Sequence, residues 1–363
     1  MRIVQVVETL NVGGLERMAV DLAIEQLAAG HSPILYCIFS RGPFAEVASA
    51  HGIPVRCFDK IPGFSLKTLA ALTSALRSDA PDVVHSHTAG IHHYAAVASR
   101  LARVPVVVST IHSPAATLLR PYQHRYFRWV LPLTSNVAVV SQATLDFLVA
   151  HALPRHKLRV IWNGVPVVKY QARAASPGSR RPVIRFGTIG RFVPEKAHSI
   201  LLEAFHQLLE RLPEAELRIV GYGALHDVLR DRVDRFGLAG RVRLEGRNDD
   251  VPAVLHELDI FVLSSVTEGL PVVILEAMAA GLPIVSTRVG GIAEVAPEGK
   301  VAWYCEPGAA GPLADAMFLA ATSPNLQEMG FTASQLALAN FDISVMQKNY
   351  EIMYIDSMRR RRP

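Results

Sequence analysis

The stretch SSVTEGLPVVILEAMAAGLPIVSTRVGG, Ser264 to Gly291, decides how the rest of the chain is read. The apolar run Asp259-Ile-Phe-Val-Leu-Ser264 leads into it and Pro283-Ile-Val-Ser-Thr287 closes it. Both read as buried parallel strands joined by a crossover helix. Pro271 suits the first helical turn and Gly281 the stop. Between them, Pro271 to Ala280 is apolar on nearly every side, which predicts a buried helix. Glu276 is its only charge. A carboxylate in such a place is costly unless partners donate hydrogen bonds to it. Sugar or ribose hydroxyls would serve, and so would an Arg or Lys of the same domain; the helix alone leaves both readings open. A second carboxylate, Glu268, stands just before the helix.

At 363 residues, half of them hydrophobic and 19% charged, the chain predicts about two globular domains, each able to bury its own core. The net charge of +5 and a pI near 9.2 suit acidic partners such as nucleotide phosphates or anionic lipid. Cys37, Cys57 and Cys305 form neither a metal-ligand spacing nor an even disulfide set, as expected of a reducing cytosol. The first residues read as a strand rather than a signal peptide, and no run of eighteen apolar residues is long enough to span a bilayer. The expected location is therefore cytoplasmic, with any membrane contact peripheral, at the inner face.

Apolar runs alternate with helical patterns from the first residue. Strands are predicted at Arg2 to Leu10, Ile34 to Phe39, Val55 to Phe58, Val83 to Ser86, Val106 to Thr110 and Val137 to Val140. A further strand ends near Val160, and Ala172 to Pro182 reads as a polar linker. A second series follows at Val183 to Ile189, Glu216 to Val220, Val242 to Glu245, Asp259 to Leu263 and Pro283 to Thr287. Two such series predict two doubly wound parallel sheets, with ligands beyond the carboxyl ends of the strands. The predicted domains are 1–170 and 171–340, with a helical tail 341–363 that returns to the N-terminal domain.

Several polar signals fall at those strand ends. Gly13-Gly14 opens a helix after the first strand and reads either as a phosphate loop or as a tight turn. His85-Ser-His87 and His112 follow two more strands; without a third ligand nearby, hydrogen bonding is favoured over metal. In the second half Gly190-Arg191 to Lys196, Gly221-Tyr-Gly223 and Gly246-Arg247 end successive strands. With the helix at Pro271 they would surround one crevice with backbone amides and cations, as a diphosphate requires. The cationic, aromatic segment Arg120 to Trp129 and the terminal Arg359 to Arg362 suit either an anionic membrane surface or ordinary solvated faces. Nothing resembles a nucleic-acid recognition signature.

The ordered set Gly13-Gly14-x-Glu16-Arg17, Asp82-Val-Val-His85-Ser-His87, Thr110-x-His112, Gly190-Arg191, Glu195-Lys196, Gly221-x-Gly223 and Glu268-x7-Glu276 resembles the family 4 retaining glycosyltransferases. The resemblance covers nearly the whole chain and implies the GT-B fold, α/β, with two facing Rossmann-like doubly wound domains and a cleft between them. It further implies transfer of a hexose from a nucleotide sugar, UDP first and GDP-mannose second, to a glycan or lipid-linked acceptor held by the first domain. By the same resemblance Glu276 binds the ribose, Glu268 the donor sugar, and Arg191 with Lys196 the diphosphate, helped by amides of Gly269 and Leu270. His112 stands beside the reaction centre; Gly13, Gly14, Gly246 and Arg247 line the donor. No metal and no cofactor are expected, because two cations and a helix terminus can stabilise the leaving diphosphate. A nucleotide-sugar 2-epimerase and a non-catalytic membrane-associated subunit are the alternatives. Departures from the family pattern are Ala197, where Gly is usual after the Lys, Pro166 and Pro307-Gly-Ala-Ala310.

Overall fold

The computed structural model describes residues 1–61, 63–112, 127–171 and 183–360. Its contacts divide the chain into two units, Met1–Val165 with Ile343–Pro363, and Pro166–Asp342. The linker predicted at 172–182, most of the segment 120–129 (residues 120–126) and Arg361 and Arg362 lie outside the described residues.

The first unit holds seven strands: β1 (Arg2–Thr9), β2 (Ser32–Ser40), β3 (Val55–Cys57), β4 (Val83–Ser86), β5 (Val106–Ile111), β6 (Asn136–Val139) and β7 (Leu158–Val160). They pair in parallel in the order β3-β2-β1-β4-β5-β6-β7. The order reverses between β1 and β4, which opens a crevice at the carboxyl ends of those two strands. Helices cover both faces, so β4, β5 and β6 are buried along their whole length. One face packs Val4, Val6, Tyr36 and Val84 against Leu72, Leu76 and Tyr94. The other packs Val7, Leu35 and Cys37 against Ala19, Val20 and Ala23.

The C-terminal helix, Ile343–Arg359, belongs to this first unit. Tyr350 and Tyr354 are fully buried. The Tyr354 hydroxyl lies 2.7 Å from His85 Nδ1, and that of Tyr350 lies 2.9 Å from Thr110 Oγ1. Asn136 Nδ2 donates to Ser357 Oγ over 2.6 Å, and Arg159 pairs with Asp356 at 2.9 Å. The helical tail predicted from residue 341 is the single helix Ile343–Arg359, and the helix before it, Leu326–Asn340, ends at Phe341-Asp342.

The second unit holds β8 (Arg185–Ile189), β9 (Glu216–Val220), β10 (Val242–Glu245), β11 (Ile260–Leu263), β12 (Ile284–Thr287) and β13 (Ala302–Cys305), ordered β10-β9-β8-β11-β12-β13 and all parallel. Here the order reverses between β8 and β11. Its core gathers Phe186, Leu217, Ile219, Ile260 and Val262 under Leu201, Phe205 and Met317. Strand β13 was not anticipated: past Ala302 its residues are only half-buried and give no unbroken apolar run, and its pairing with β12 is what makes it a strand.

Candidate functional site

The reversal between β8 and β11 places two loops side by side at one sheet edge, Gly190 to Ala197 after β8 and Ser264 to Leu270 after β11. They are stitched together. Val266 N–H donates to the Glu195 carbonyl over 2.9 Å, and Ser264 Oγ to the Lys196 carbonyl over 2.9 Å. Lys196 Nζ donates to Glu268 Oε1 at 2.6 Å, and Ser265 Oγ donates to the same oxygen at 2.7 Å. The two side chains are 17% and 13% exposed, so the pair is sheltered but open at one side. An ammonium has three donor hydrogens, and Glu268 is its one partner among the described residues, which leaves capacity for phosphate oxygens. Arg191 is exposed and forms no ion pair among the described residues.

The helix Val272–Ala279 starts at this same edge, with Pro271 as its N-cap, and it ends where Gly281 takes φ of +76°. Its N-terminus favours negative charge. Ile274, Leu275, Ala277, Met278 and Ala279 are buried, whereas Val272, Val273 and Glu276 share a half-buried face. The helix is therefore less enclosed than its composition predicts. Glu276 Oε1 accepts a hydrogen bond from the Tyr170 hydroxyl at 2.6 Å, a neutral donor of the same unit. Tyr170 is itself buried, and its carbonyl accepts from His256 Nε2 at 2.7 Å.

The glycines at the strand ends have separate reasons. A Cβ at Gly221 would come within 1.9 Å of the Gly190 carbonyl oxygen, and one at Gly290, where φ is +56°, within 2.4 Å of the Gly269 oxygen. These loops approach backbone to backbone. Gly246 faces open space. Arg247 forms a two-pronged pair with Asp249, at 2.7 and 3.0 Å, so its charge is already shared. Ala197 has φ of +49°, the left-handed region in which the family's usual glycine is relaxed.

At the reversal of the first sheet, Gly13 is extended, with φ of −177°, and the helix Gly14–Ala28 begins directly after it. No tight turn demands glycine there; the atoms a Cβ would meet belong to the flexible Glu16 side chain. His87 and His112 extend from the ends of β4 and β5, their rings stacked with centroids 5.9 Å apart. His87 Nε2 donates to Gln5 Oε1 at 2.7 Å, and Gln5 Nε2 donates to Gln26 Oε1 at 2.9 Å, an amide chain that leaves His87 Nδ1 as the acceptor. His87 Nδ1 and His112 Nε2 are buried without a protein partner among the described residues. Burial pushes the His112 imidazole down to about 4, partly offset by a side-chain hydrogen bond with Asn163, so it is neutral near pH 7. Among the described residues no group of three His, Cys, Asp or Glu side chains could hold a metal ion, and His85 and His87 serve hydrogen bonds.

Reasoning from sequence missed Ser265, Tyr170 and His198. Ser265 lies three positions before Glu268, a spacing that could have drawn notice. His198 is buried beside Phe192 and held to about 4, by desolvation first and then by the Lys196 charge.

The chain is similar to known glycosyltransferases in sequence and in fold. Residues 183–321 match the family described as glycosyl transferases group 1, and residues 12–169 match glycosyltransferase family 4. A UDP-Gal:α-D-GlcNAc-diphosphoundecaprenol α-1,3-galactosyltransferase of Escherichia coli is 29% identical over 57% of this chain and 58% of its own length, so the match spans under two thirds of that relative. The N-acetyl-α-D-glucosaminyl L-malate synthase of Bacillus anthracis is 25% identical over 96% of this chain and 95% of its own. The crystal structure of Anabaena Alr3699/HepE in complex with UDP superposes with a TM-score of 0.85 at 22% identity, covering 98% of this chain and all of that one.

Proposed function

This chain belongs to glycosyltransferase family 4 and is a glycosyltransferase of the GT-B fold; from that premise we propose that it moves a hexose from a nucleoside-diphosphate sugar to a hydroxyl of a glycan or lipid-linked saccharide, with retention of anomeric configuration. The observation that carries the reading is the convergence of Arg191, the Lys196–Glu268 pair and a helix N-terminus at the β8/β11 reversal, with Glu276 on the same helix. In this reading Arg191 and Lys196 hold the diphosphate, helped by amides near Gly269 and Leu270. Glu276, oriented by Tyr170, accepts from the ribose hydroxyls; Glu268 accepts from the donor sugar. Neutral His112 offers its Nε2 to a sugar hydroxyl beside the reaction centre.

The bond from the anomeric carbon to the diphosphate oxygen breaks as the bond to the acceptor oxygen forms on the same face. The acceptor proton passes to the departing phosphate oxygen, so no protein nucleophile is required. Charge appears on the leaving oxygens, and fixed cations placed beforehand stabilise it without a metal. UDP is the first choice of nucleotide, supported by the donor named for the E. coli relative and by the nucleotide bound in the Anabaena structure; GDP-mannose is second. The diphosphoundecaprenol acceptor of that relative supports the lipid-linked class.

A thermal-shift screen against UDP, GDP and ADP sugars identifies the donor. Incubation with the labelled donor then reads the reaction. Release of nucleoside diphosphate with label on an acceptor supports transfer; an epimerised nucleotide sugar without free nucleoside diphosphate overturns it.

A further inference from the structure

Two of the chain's three cysteines, which no spacing in the sequence pairs, are neighbours in the fold. Cys37 on β2 and Cys57 on β3 are register partners in the first sheet. Neighbouring strands run about 4.8 Å apart, and register partners of parallel strands point to the same face. A disulfide spans Cα atoms about 4.4–6.8 Å apart, so the backbone already stands within reach of one. The side chains agree with the backbone. Both pack on the same apolar cluster, and the Cys37 thiol is hydrogen-bonded to that of Cys57. Both are free thiols, and Cys305, the third, stands on β13 in the second unit.

The two sulfurs differ in access. Cys37 is fully buried, and burial pushes its thiol up, so it is protonated near pH 7. Cys57 is half-buried on the three-residue strand Val55–Cys57, which ends the sheet order. An edge strand so short opens locally at little cost. The Cys57 thiol donates to Asp59 Oδ1 at 3.2 Å, and Asp59 is itself exposed. A solute oxidant therefore meets Cys57 first, with a second sulfur already in contact behind it. Attack by the Cys57 sulfur on a peroxide oxygen breaks the O–O bond and leaves a sulfenic acid and one water. The Cys37 sulfur then displaces the sulfenic hydroxyl, which departs with the Cys37 proton as a second water. Two electrons pass from the thiols to the peroxide. Because the Cβ bonds of register partners run side by side instead of converging, the disulfide is strained and yields readily to a dithiol.

We propose that Cys37 and Cys57 are a redox modification site, closed to a reversible disulfide by a small peroxide, with Cys57 the sulfur oxidised first and Cys37 the one that resolves it. The inference goes beyond the glycosyl-transfer reading and is separable from it, since its readout needs no nucleotide sugar. The full chain is treated with hydrogen peroxide, its remaining thiols are alkylated under denaturing conditions, and they are counted by mass. The reduced chain is expected to show three thiols and the oxidised chain one, at Cys305, with a peptide cross-link between Cys37 and Cys57. Dithiothreitol is expected to restore all three. In Cys37→Ser, where nothing resolves it, the Cys57 sulfenic acid is expected to be trapped by dimedone. Three thiols retained after peroxide, thiols lost without that cross-link, or no dimedone adduct at Cys57 in Cys37→Ser overturns the proposal.

Discussion

Glu276 and Lys196 illustrate what single residues reveal. Glu276 was legible because it is the lone charge of an apolar helix, yet its partner Tyr170 stands 106 positions away and meets it only through packing within the second unit. Lys196 and Glu268 were each legible as strand-end polar groups. Their 2.6 Å pairing across 72 positions was not, because it depends on the adjacency of β8 and β11. Lys196 holds Glu268 through that pair, and in the proposed site its further hydrogens would go to phosphate. Lys196→Ala is expected to lower turnover about ten- to a hundredfold, equivalent to about 1.5–3 kcal/mol for a charged hydrogen bond. Steady-state kinetics checks this; turnover within twofold of wild type would contradict it.

Among elements, the loop Gly190 to Ala197 shows a local rule broken at the site. Ala197 occupies the left-handed region, where an L side chain costs about 1–2 kcal/mol. Glycine there would relieve that strain while adding about 0.4–1 kcal/mol of unfolded-state entropy to be lost. Ala197→Gly is therefore expected to raise unfolding stability by about 0.5–1 kcal/mol, and denaturant titration measures it; a destabilised variant would contradict the strain. The glycines at strand ends were visible in the sequence, but their reason was not. Gly221 and Gly290 are required by close backbone approach to Gly190 and Gly269, which no local spacing records. The alternation of strands and helices was plain because buried parallel strands read as unbroken apolar runs, whereas β13, at the sheet edge with Trp303, Tyr304 and Cys305 only half-buried, gave no such run.

In the whole molecule, a buried polar network ties the C-terminal helix into the first unit through His85, Thr110, Tyr350 and Tyr354. Burial lowers His85 and His92 to about 3 and His112 and His198 to about 4, and takes His87 well down too, against about 6.5 in the unfolded chain. These groups stay neutral in the fold, so below about pH 6.5 the unfolded chain binds protons that the folded chain does not. Their contribution is complete above that pH and is lost as pH falls toward the folded values, by up to about 1.4 kcal/mol per pH unit for each histidine. The melting temperature is expected to be nearly level from about pH 8 to 7 and to fall steeply below about pH 6; a level profile down to about pH 5 would contradict it. In the proposed function the carboxyl edge of the second sheet holds the nucleotide through Glu276 and the sugar through Glu268. Calorimetric titration of UDP into wild type, Glu276→Ala and Glu268→Ala tests it most directly. Nucleotide affinity is expected to be about tenfold or more weaker for Glu276→Ala and nearly unchanged for Glu268→Ala; equal affinity of Glu276→Ala and wild type would contradict the ribose role of Glu276.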